Sequence, residues 1–133
     1  MSDREALRAV MDRFIHEIWG DQQLDVLSEI VEDDATFYFG EDVLNGVGAI
    51  REFIGAVHTA FPDLRYEIAD LFIDGDKIAV RFIGTASHQG DYDGKAATGK
   101  NVSYEGLSIF HMGEDRIAKG WSQSDWPLKF PDL

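Results

Sequence analysis

The sequence contains no cysteine. Disulfide bonds, thiolate metal sites and cysteine nucleophiles are therefore excluded, while the redox state of the compartment stays open. Basic residues are few, since 12 Lys and Arg stand against 25 Asp and Glu and the formal charge is −13. A chain of this charge repels a phosphate backbone or an anionic lipid surface, so we expect neither a nucleic-acid nor a membrane partner.

Long apolar runs are also missing. The first five residues include Asp3, Arg4 and Glu5 and lead into an amphipathic pattern. No signal peptide or membrane span is visible, and we expect a cytoplasmic protein. His16 and His58 have no metal-ligand spacing to carboxylates, and the glycine-rich stretches match no nucleotide-binding fingerprint, so we expect no metal and no cofactor.

The composition that remains is that of a folded domain. Hydrophobic residues make up 44% and aromatic residues 12% of the 133 residues. This length supports one hydrophobic core and is too short for two domains of ordinary size. We expect a single domain over residues 1–133.

The first half of the chain has a helical period. Apolar residues recur every three or four positions over residues 7–19, 24–31 and 50–57, and Phe61-Pro62-Asp63 ends the third stripe. Three helices are therefore predicted. The segment between the second and third helices is expected to hold a solvated acidic turn at 32–34, a strand at 36–39 and a loop at 40–48.

The second half alternates with a period of two. Residues 64–83, with a tight turn at Asp74-Gly75-Asp76, predict an antiparallel hairpin, and residues 102–111 with 117–126 predict a second one. Residues 84–100 are expected to form a glycine-rich connection. This order predicts an α+β fold, in which a curved antiparallel sheet and the three helices of the N-terminal half enclose a pocket.

The last hairpin is the predicted pocket wall. A register that places Leu107 opposite Trp121 and Ser103 opposite Asp125 puts the odd-numbered side chains on one shared face. That face holds Glu105, Leu107, Ile109, His111, Trp121, Gln123 and Asp125. A carboxylate on an otherwise apolar wall has a raised proton affinity, which suits acid/base chemistry near neutral pH. Asp125 is the candidate.

The opposite face of this hairpin carries small residues, and it is the predicted contact with a second chain. They are Ser108, Ala118, Gly120, Ser122 and Ser124. Their size would allow close approach of a second sheet, so we expect a homodimer.

Several short motifs stand in a recognisable order along the chain. They are Ala60-Phe61-Pro62-Asp63-Leu64, Gly75-Asp76 with Ile78-Ala79-Val80-Arg81-Phe82, Gly84-Thr85 with His88, Gly90, Gly94 and Thr98-Gly99-Lys100, and Ile109-Phe110, Ile117 and Trp121 to Asp125. In this order the sequence resembles the SnoaL-like polyketide cyclases (ester-cyclase-like proteins) of the nuclear transport factor 2-like superfamily. The resemblance implies a cone of bent antiparallel sheet with three helices.

The resemblance also implies a mechanism. Cyclases of this kind use an aspartate four residues after the tryptophan of the last strand as acid/base in an intramolecular aldol ring closure, without metal or cofactor. Asp125 stands four residues after Trp121, and His111 matches a second polar group near the substrate. The sequence departs from the pattern at Ala97, where a proline is usual, and around Ala86-Ser87, where two residues are inserted.

We therefore expect acid/base chemistry on a small apolar carbonyl compound. Asp125 and His111 are the expected catalytic residues, and the expected substrate contacts are Trp121, Gln123, Glu105, Leu107 and His88. His111 or Gln123 would hydrogen-bond the developing enolate.

Three alternatives stay open. A non-catalytic module of the same fold would bind a hydrophobic ligand or dimerise. A ketosteroid-isomerase-like enzyme would need its aspartate just after Thr36, where this chain has Phe37-Tyr38-Phe39. An epoxide-hydrolase-like enzyme would need an Asp-Arg-Asp set, for which Arg81 and Asp125 supply two members.

Overall fold

The N-terminal helix changes its winding half-way along. Helix α1 (Arg4–Asp12) continues without a break into a π-helix (Arg13–Gly20). The predicted apolar stripe is buried along both parts, at Leu7, Met11, Phe14, Ile15, Ile18 and Trp19. The structure, a computed structural model, describes residues 4–92 and 94–125.

The second predicted helix is short and ends early. A 3₁₀ turn (Leu24–Val26) leads into helix α2 (Leu27–Ile30), and strand β1 (Val31–Phe39) begins directly afterwards. The prediction of an acidic turn at 32–34 is wrong. These residues belong to β1, where Val31, Ala35 and Phe37 are buried and the acidic side chains stay on the more exposed positions.

A short edge strand replaces part of the predicted loop at 40–48. Gly40 adopts a φ of 58° and turns the chain into strand β2 (Asp42–Asn45), which pairs antiparallel with β1. Helix α3 (Val47–Ala60) follows and ends just before Pro62, as the sequence predicts.

The remaining strands form the two predicted hairpins. They are β3 (Arg65–Asp74) with β4 (Lys77–Ser87), and β5 (Asn101–Met112) with β6 (Ile117–Ser124). Strand β4 continues to Ser87, into the segment predicted as a glycine-rich connection. The predicted end of the last strand, Trp126, lies outside the described residues.

All six strands form one sheet in the order β2-β1-β6-β5-β4-β3. Four of the five pairings are antiparallel, and β1 lies parallel to β6. The sheet is curved and unclosed, and the predicted α+β class with a sheet of this kind and three helices is confirmed.

The hydrophobic core lies between the helices and one face of the sheet, which we call the inner face. Phe14 of the π-helix packs edge-on against Phe37 of β1 and Phe110 of β5, with ring centroids 5.9 and 5.5 Å away. Ile50 and Ile54 of α3 are fully buried in the same core. Among the described residues, no helix combines the length and the apolarity needed to cross a membrane.

Candidate functional site

A cavity of about 220 Å³ opens between the π-helix, α3 and the inner face of the sheet. For comparison, an engineered cavity of about 150 Å³ with apolar walls binds benzene. Its lining residues are mostly aromatic or aliphatic, including Trp19, Phe39, Phe53, Phe61, Phe82 and Phe110. The cavity therefore has room for an apolar body of roughly one to two rings.

The π-helix supplies one wall of the cavity. The Asp21 N–H donates to the His16 carbonyl oxygen five residues earlier, at 2.8 Å, so the turn is wider than an α-helical one. Phe14, Ile15 and Trp19 line the cavity from this helix. The Trp19 ring packs edge-on against Tyr66 of β3 at 5.5 Å, which joins the helix to the opposite wall.

Two tyrosine hydroxyls meet in the wall formed by β3, β4 and β5. Tyr66 pairs with Gly84, and Gly84 pairs with Tyr104, so three neighbouring strands carry a Tyr-Gly-Tyr row. A Cβ at Gly84 would lie 2.7 Å from Cε1 of Tyr66 and 3.0 Å from Cζ of Tyr104. The missing side chain lets both rings lean over Gly84, and their hydroxyl groups form a hydrogen bond.

Burial keeps this pair neutral. It raises the pKa of Tyr66 well above its usual value, and the neighbouring Tyr104 adds to the rise. Burial also raises the pKa of Tyr104, although its hydrogen bond with Tyr66 opposes the change. Neutral phenols in an apolar cavity donate and accept hydrogen bonds, which suits a carbonyl or hydroxyl oxygen of a ligand.

A second pair of hydroxyls lies on the last hairpin. Ser108 of β5 faces Ser122 of β6, their Oγ atoms are 2.6 Å apart, and both residues line the cavity. Ser108 is 5% exposed. Ser122 is half-buried, and the two hydroxyls satisfy each other while lining the cavity.

One lining residue carries a carboxylate. Asp42 pairs with Phe39 at the start of β2, and the alternation of the strand puts both side chains on the inner face. The sequence predicts a loop at Asp42, whereas the structure has the first residue of β2 there. No group of three His, Asp or Glu residues within 4–92 and 94–125 is arranged to hold a metal.

The prediction that the odd-numbered side chains of the last hairpin line the pocket is wrong. Leu107 pairs with Gln123, and Ile109 with Trp121, a register two residues away from the predicted one. The odd-numbered side chains of β5 point away from the helices, so Leu107 is 59% exposed and Ile109 48%. The cavity is lined instead by even-numbered residues of the hairpin, namely Val102, Tyr104, Ser108, Phe110, Ser122 and Ser124.

Several predicted substrate contacts lie on the outer face of the sheet for this reason. Trp121 is 36% exposed there and stacks on Tyr38 with 5.6 Å between ring centroids. Glu105 is exposed and lies 3.6 Å from Arg81, on the same outer face as Leu107. Gln123 borders the cavity although it is largely exposed.

Asp125 directly follows three residues that line the cavity, Ser122, Gln123 and Ser124. Its N–H donates to the Glu105 carbonyl oxygen at 3.1 Å, and its Oδ1 accepts from the Glu105 N–H at 3.0 Å. Residue 125 is half-buried and is not part of the lining. The Glu105 backbone that it contacts is adjacent in the chain to the lining residue Tyr104.

The structure does not bring His111 and Asp125 together. Asp125 pairs with the backbone of Glu105, and His111 lies six residues further along β5, which is about 20 Å in a strand. The His111 ring packs against Trp121 at 4.7 Å on the outer face. These two residues therefore do not form one site, contrary to the prediction.

His88 is buried behind the cavity wall. It is 0% exposed, its ring stacks on Phe61 at 5.2 Å, and the Thr98 N–H donates to Nδ1 at 3.3 Å. The ring fixes the chain that follows β4, and it supports the lining residue Phe61 from behind. His88 itself is not among the lining residues.

The sequence-based prediction missed the residues that give the cavity its polar groups. Tyr66, Tyr104 and Ser108 lie on strands that were predicted, but they were not selected as site residues. One signal in the sequence could have pointed to them: a glycine inside a strand marks a place where another group approaches the backbone closely. Gly84 and Gly106 both carry that signal, since a Cβ at Gly106 would lie 2.6 Å from Cζ of Phe82.

Comparison with known proteins identifies the family. The family model of the SnoaL-like polyketide cyclases matches residues 9–126. The chain belongs to this family. The resemblance predicted from the sequence is thus confirmed. No curated protein sequence matches the chain.

Solved structures agree on the fold. TsrD from Streptomyces laurentii superimposes with a TM-score of 0.88 at 21% identity, covering 99% of this chain and 96% of TsrD. A SnoaL-like polyketide cyclase from Agrobacterium tumefaciens strain C58 gives 0.78 at 18% identity, covering 95% of each chain. AclR of Streptomyces galilaeus, a proposed hydroxylase, gives 0.82 at 22% identity, covering 94% of this chain and 92% of AclR. SnoaL-like folds therefore carry more than one assigned chemistry.

Proposed function

We propose that the protein catalyses proton transfer on a small, largely apolar carbonyl compound, using its own side chains. The observation that carries this proposal is the apolar cavity with neutral tyrosine hydroxyls in its wall. A neutral phenol stabilises an enolate oxygen by a hydrogen bond that strengthens as charge develops. Membership of the SnoaL-like cyclases supports the same class of chemistry.

The proposed reaction begins when the carbonyl oxygen is bound by the hydroxyl of Tyr66. Asp125 takes the proton from the neighbouring carbon, the electron pair of the C–H bond forms the enolate, and the negative charge rests on the bound oxygen. In an isomerisation, the carboxylic acid of Asp125 returns the proton to another carbon. In a ring closure, the enolate carbon attacks a second carbonyl carbon, and the new alkoxide receives the proton.

Asp125 is the proposed base because it directly follows the lining residue Ser124 and its carboxylate contacts the backbone of Glu105, which is next to the lining residue Tyr104. Its Oδ1 accepts from the Glu105 N–H, which holds the carboxylate against the backbone of β5. Asp42 is the competing base, since it lines the cavity from β2. The roles of these two carboxylates are separable because they lie on different parts of the chain.

The test is hydrogen exchange at carbon. One- and two-ring ketones are incubated with the protein in D2O, and loss of the α-proton signal is followed by NMR. We expect exchange above the buffer rate, and a fall of roughly 10²- to 10⁴-fold in Asp125→Asn. An asparagine can still accept from the Glu105 N–H, so the variant changes the base and keeps the backbone contact.

The matched control is Glu41→Gln, which removes a charge next to Asp42 outside the lining. Loss of exchange in Asp42→Asn but not in Asp125→Asn would transfer the role of base to Asp42. A ketone that binds without any exchange would show a binding module instead of an enzyme.

We also propose that the partner of this chain is a second copy, which docks on the outer face of the sheet. One row of paired residues crosses all six strands there: Val43, Tyr38, Trp121, Ile109, Ala79 and Phe72. We call it the outer row. Phe72 is 68% exposed and Val43 51%, so the row presents a continuous apolar band to solvent.

The outer row is complementary to itself. Three strands lie on each side of the boundary between β5 and β6. A two-fold axis along that boundary brings Trp121 onto Ile109, Tyr38 onto Ala79 and Val43 onto Phe72, and each of these pairs joins a larger with a smaller side chain. This face differs from the predicted one, because Ser108, Gly120 and Ser122 lie on the inner side.

The oligomeric state is measured by size-exclusion chromatography with light scattering. We expect twice the chain mass of 14.9 kDa at micromolar concentration, and the single-chain mass for Ile109→Lys. Thr85→Lys, on the same face away from the outer row, is the control and stays dimeric. A wild-type protein of single-chain mass contradicts the proposal.

A further inference from the structure

We infer that the cavity is a two-ended site for a neutral molecule of one to two rings that carries an oxygen function at each end. One end is the hydroxyl pair of Tyr66 and Tyr104, and the other is the pair of Ser108 and Ser122. The inference rests on the proposed function in taking this cavity as the substrate site, and it adds the class of substrate.

The spacing of the two pairs follows from strand β5. Tyr104 and Ser108 lie on the same face four residues apart, which places their Cα atoms about 13 Å from each other. Gly106 stands midway, and the missing side chain leaves space that the Phe82 ring occupies. The wall of the cavity therefore presents oxygen, an aromatic ring and oxygen in sequence.

The serine pair has hydrogen-bonding capacity left for a ligand. Two hydroxyls carry two protons, and their mutual bond uses one of them. The structure gives Ser108 and Ser122 no other side-chain partner among the residues it describes. The second proton and the remaining lone pairs leave this pair able to bond a ligand in the cavity that both residues line.

The tyrosine end accepts a hydroxyl or a carbonyl through Tyr66. If Tyr104 donates to Tyr66, the Tyr66 proton is available to a ligand oxygen. If Tyr66 donates to Tyr104, the lone pairs of Tyr66 accept from a ligand hydroxyl. A phenolic or enolic hydroxyl satisfies both arrangements, because it donates and accepts.

Charge excludes anionic ligands from this site. The described lining contains no Lys, Arg or His, and its one carboxylate is Asp42. A carboxylate or phosphate ligand would find no cation to compensate its desolvation, and the chain already has a formal charge of −13. A neutral ligand with hydroxyl or keto groups fits both the walls and the polar ends.

The test compares three probes of one shape: naphthalene, 2-naphthol and 2,6-dihydroxynaphthalene. Binding to the wild-type protein is measured by isothermal titration calorimetry at neutral pH. We expect affinity to rise in that order, by about threefold to tenfold for each hydroxyl, which is the usual contribution of one hydrogen bond. Equal affinities, or no binding of the dihydroxy probe, would overturn the inference.

Variants assign the two ends. In Tyr66→Phe, and separately in Ser108→Ala combined with Ser122→Ala, the advantage of the second hydroxyl disappears while 2-naphthol still binds. The matched controls are Tyr38→Phe and Ser103→Ala, which alter hydroxyls on the outer face and leave all three affinities unchanged. An equal loss in the controls would also overturn the inference. Circular dichroism checks that each variant is folded, and the wild-type series decides the question if one is not.

Failure of the two-ended site is distinguishable from failure of the proposed function. Carbon exchange that depends on Asp125, without the affinity series, would refute the two-ended site and leave the enzyme in place. The affinity series without exchange would establish the site and refute the catalysis.

Discussion

The row Tyr66-Gly84-Tyr104 makes a prediction that runs against the usual effect of a glycine substitution. Gly84→Ala adds a Cβ that would lie 2.7 Å from Cε1 of Tyr66 and 3.0 Å from Cζ of Tyr104. The first contact is shorter than real Cβ atoms show and the second is unusually tight, so at least one ring has to move. Tyr66 also packs edge-on against Phe82 at 5.1 Å.

The expected magnitude combines two losses and one gain. Insertion of a methyl group into a packed site destabilises a protein by about 1–3 kcal/mol. Separation of the tyrosine hydroxyls removes a hydrogen bond, at about 0.5–1.5 kcal/mol. Alanine lowers the conformational entropy of the unfolded chain, which stabilises the folded protein by about 0.5–1 kcal/mol. We therefore expect Gly84→Ala to lower the free energy of unfolding by about 0.5–4 kcal/mol.

Urea unfolding followed by circular dichroism measures this change. Gly48→Ala is the matched control, because Gly48 lies in the first turn of α3 and a Cβ there would meet no atom within 4 Å. We expect the control to be as stable as the wild type or more stable by up to about 1 kcal/mol. A Gly84→Ala protein at least as stable as Gly48→Ala would refute the argument that the missing side chain holds the tyrosine pair.

Two further predictions concern pH. Burial lowers the pKa of His58, whose Nε2 donates to the Trp19 carbonyl oxygen at 2.9 Å. Below about pH 6.5, His58 therefore binds a proton in the unfolded chain but not in the folded one. The free energy of unfolding falls as the pH drops through this range. His58→Gln flattens this slope and His16→Gln, at an exposed position, does not; equal slopes would contradict the assignment. At the alkaline end, the raised pKa values of Tyr66 and Tyr104 mean that the unfolded chain loses protons first, so stability falls above about pH 10. Absorbance at 295 nm should show the same titration step near pH 10 in wild type and Tyr66→Phe, and a smaller step in the variant would count against a buried neutral phenol.

The periodicities of the sequence predicted most of the fold. Helices and both hairpins follow from spacings of three to four and of two residues, because such spacings gather apolar side chains on one face. The start of strand β1 is the exception, since the acidic run Glu32-Asp33-Asp34 predicts a turn and the structure has a strand there. Charged residues are compatible with a strand whose other face is buried, and the burial of Val31 and Ala35 supplies that face.

The pattern of apolar residues alone does not predict which face of the last hairpin is turned towards the helices. Leu107, Ile109 and Trp121 make the outer face apolar, whereas the inner face carries Gly106 and Ser108. An inner face that encloses a cavity needs small residues, because rings from neighbouring strands enter the space above them. The register also shifts between His111 and Met112, and the pattern of apolar residues in the sequence does not predict this irregularity.

The sequence predicts the position of the pocket but not the residues that supply its polar groups. A pocket between the helices and the sheet is present, and Asp125 follows the lining residue Ser124 without lining the pocket itself. The polar groups of the wall come from Tyr66, Tyr104, Ser108 and Ser122, residues whose types are common in strands of any function. Their significance depends on three-dimensional neighbours, which a single sequence does not give.

The proposed chemistry requires that ligands enter the cavity of about 220 Å³ and meet its hydroxyl groups. The most direct measurement is a crystal structure of the protein with 2,6-dihydroxynaphthalene. We predict density for the ring system between Trp19 and Phe82, with one ligand oxygen within about 3.2 Å of the Tyr66 hydroxyl and the other within about 3.2 Å of Ser108 or Ser122. A ligand bound only at the outer row, with the cavity closed by its own side chains, would contradict the proposed site.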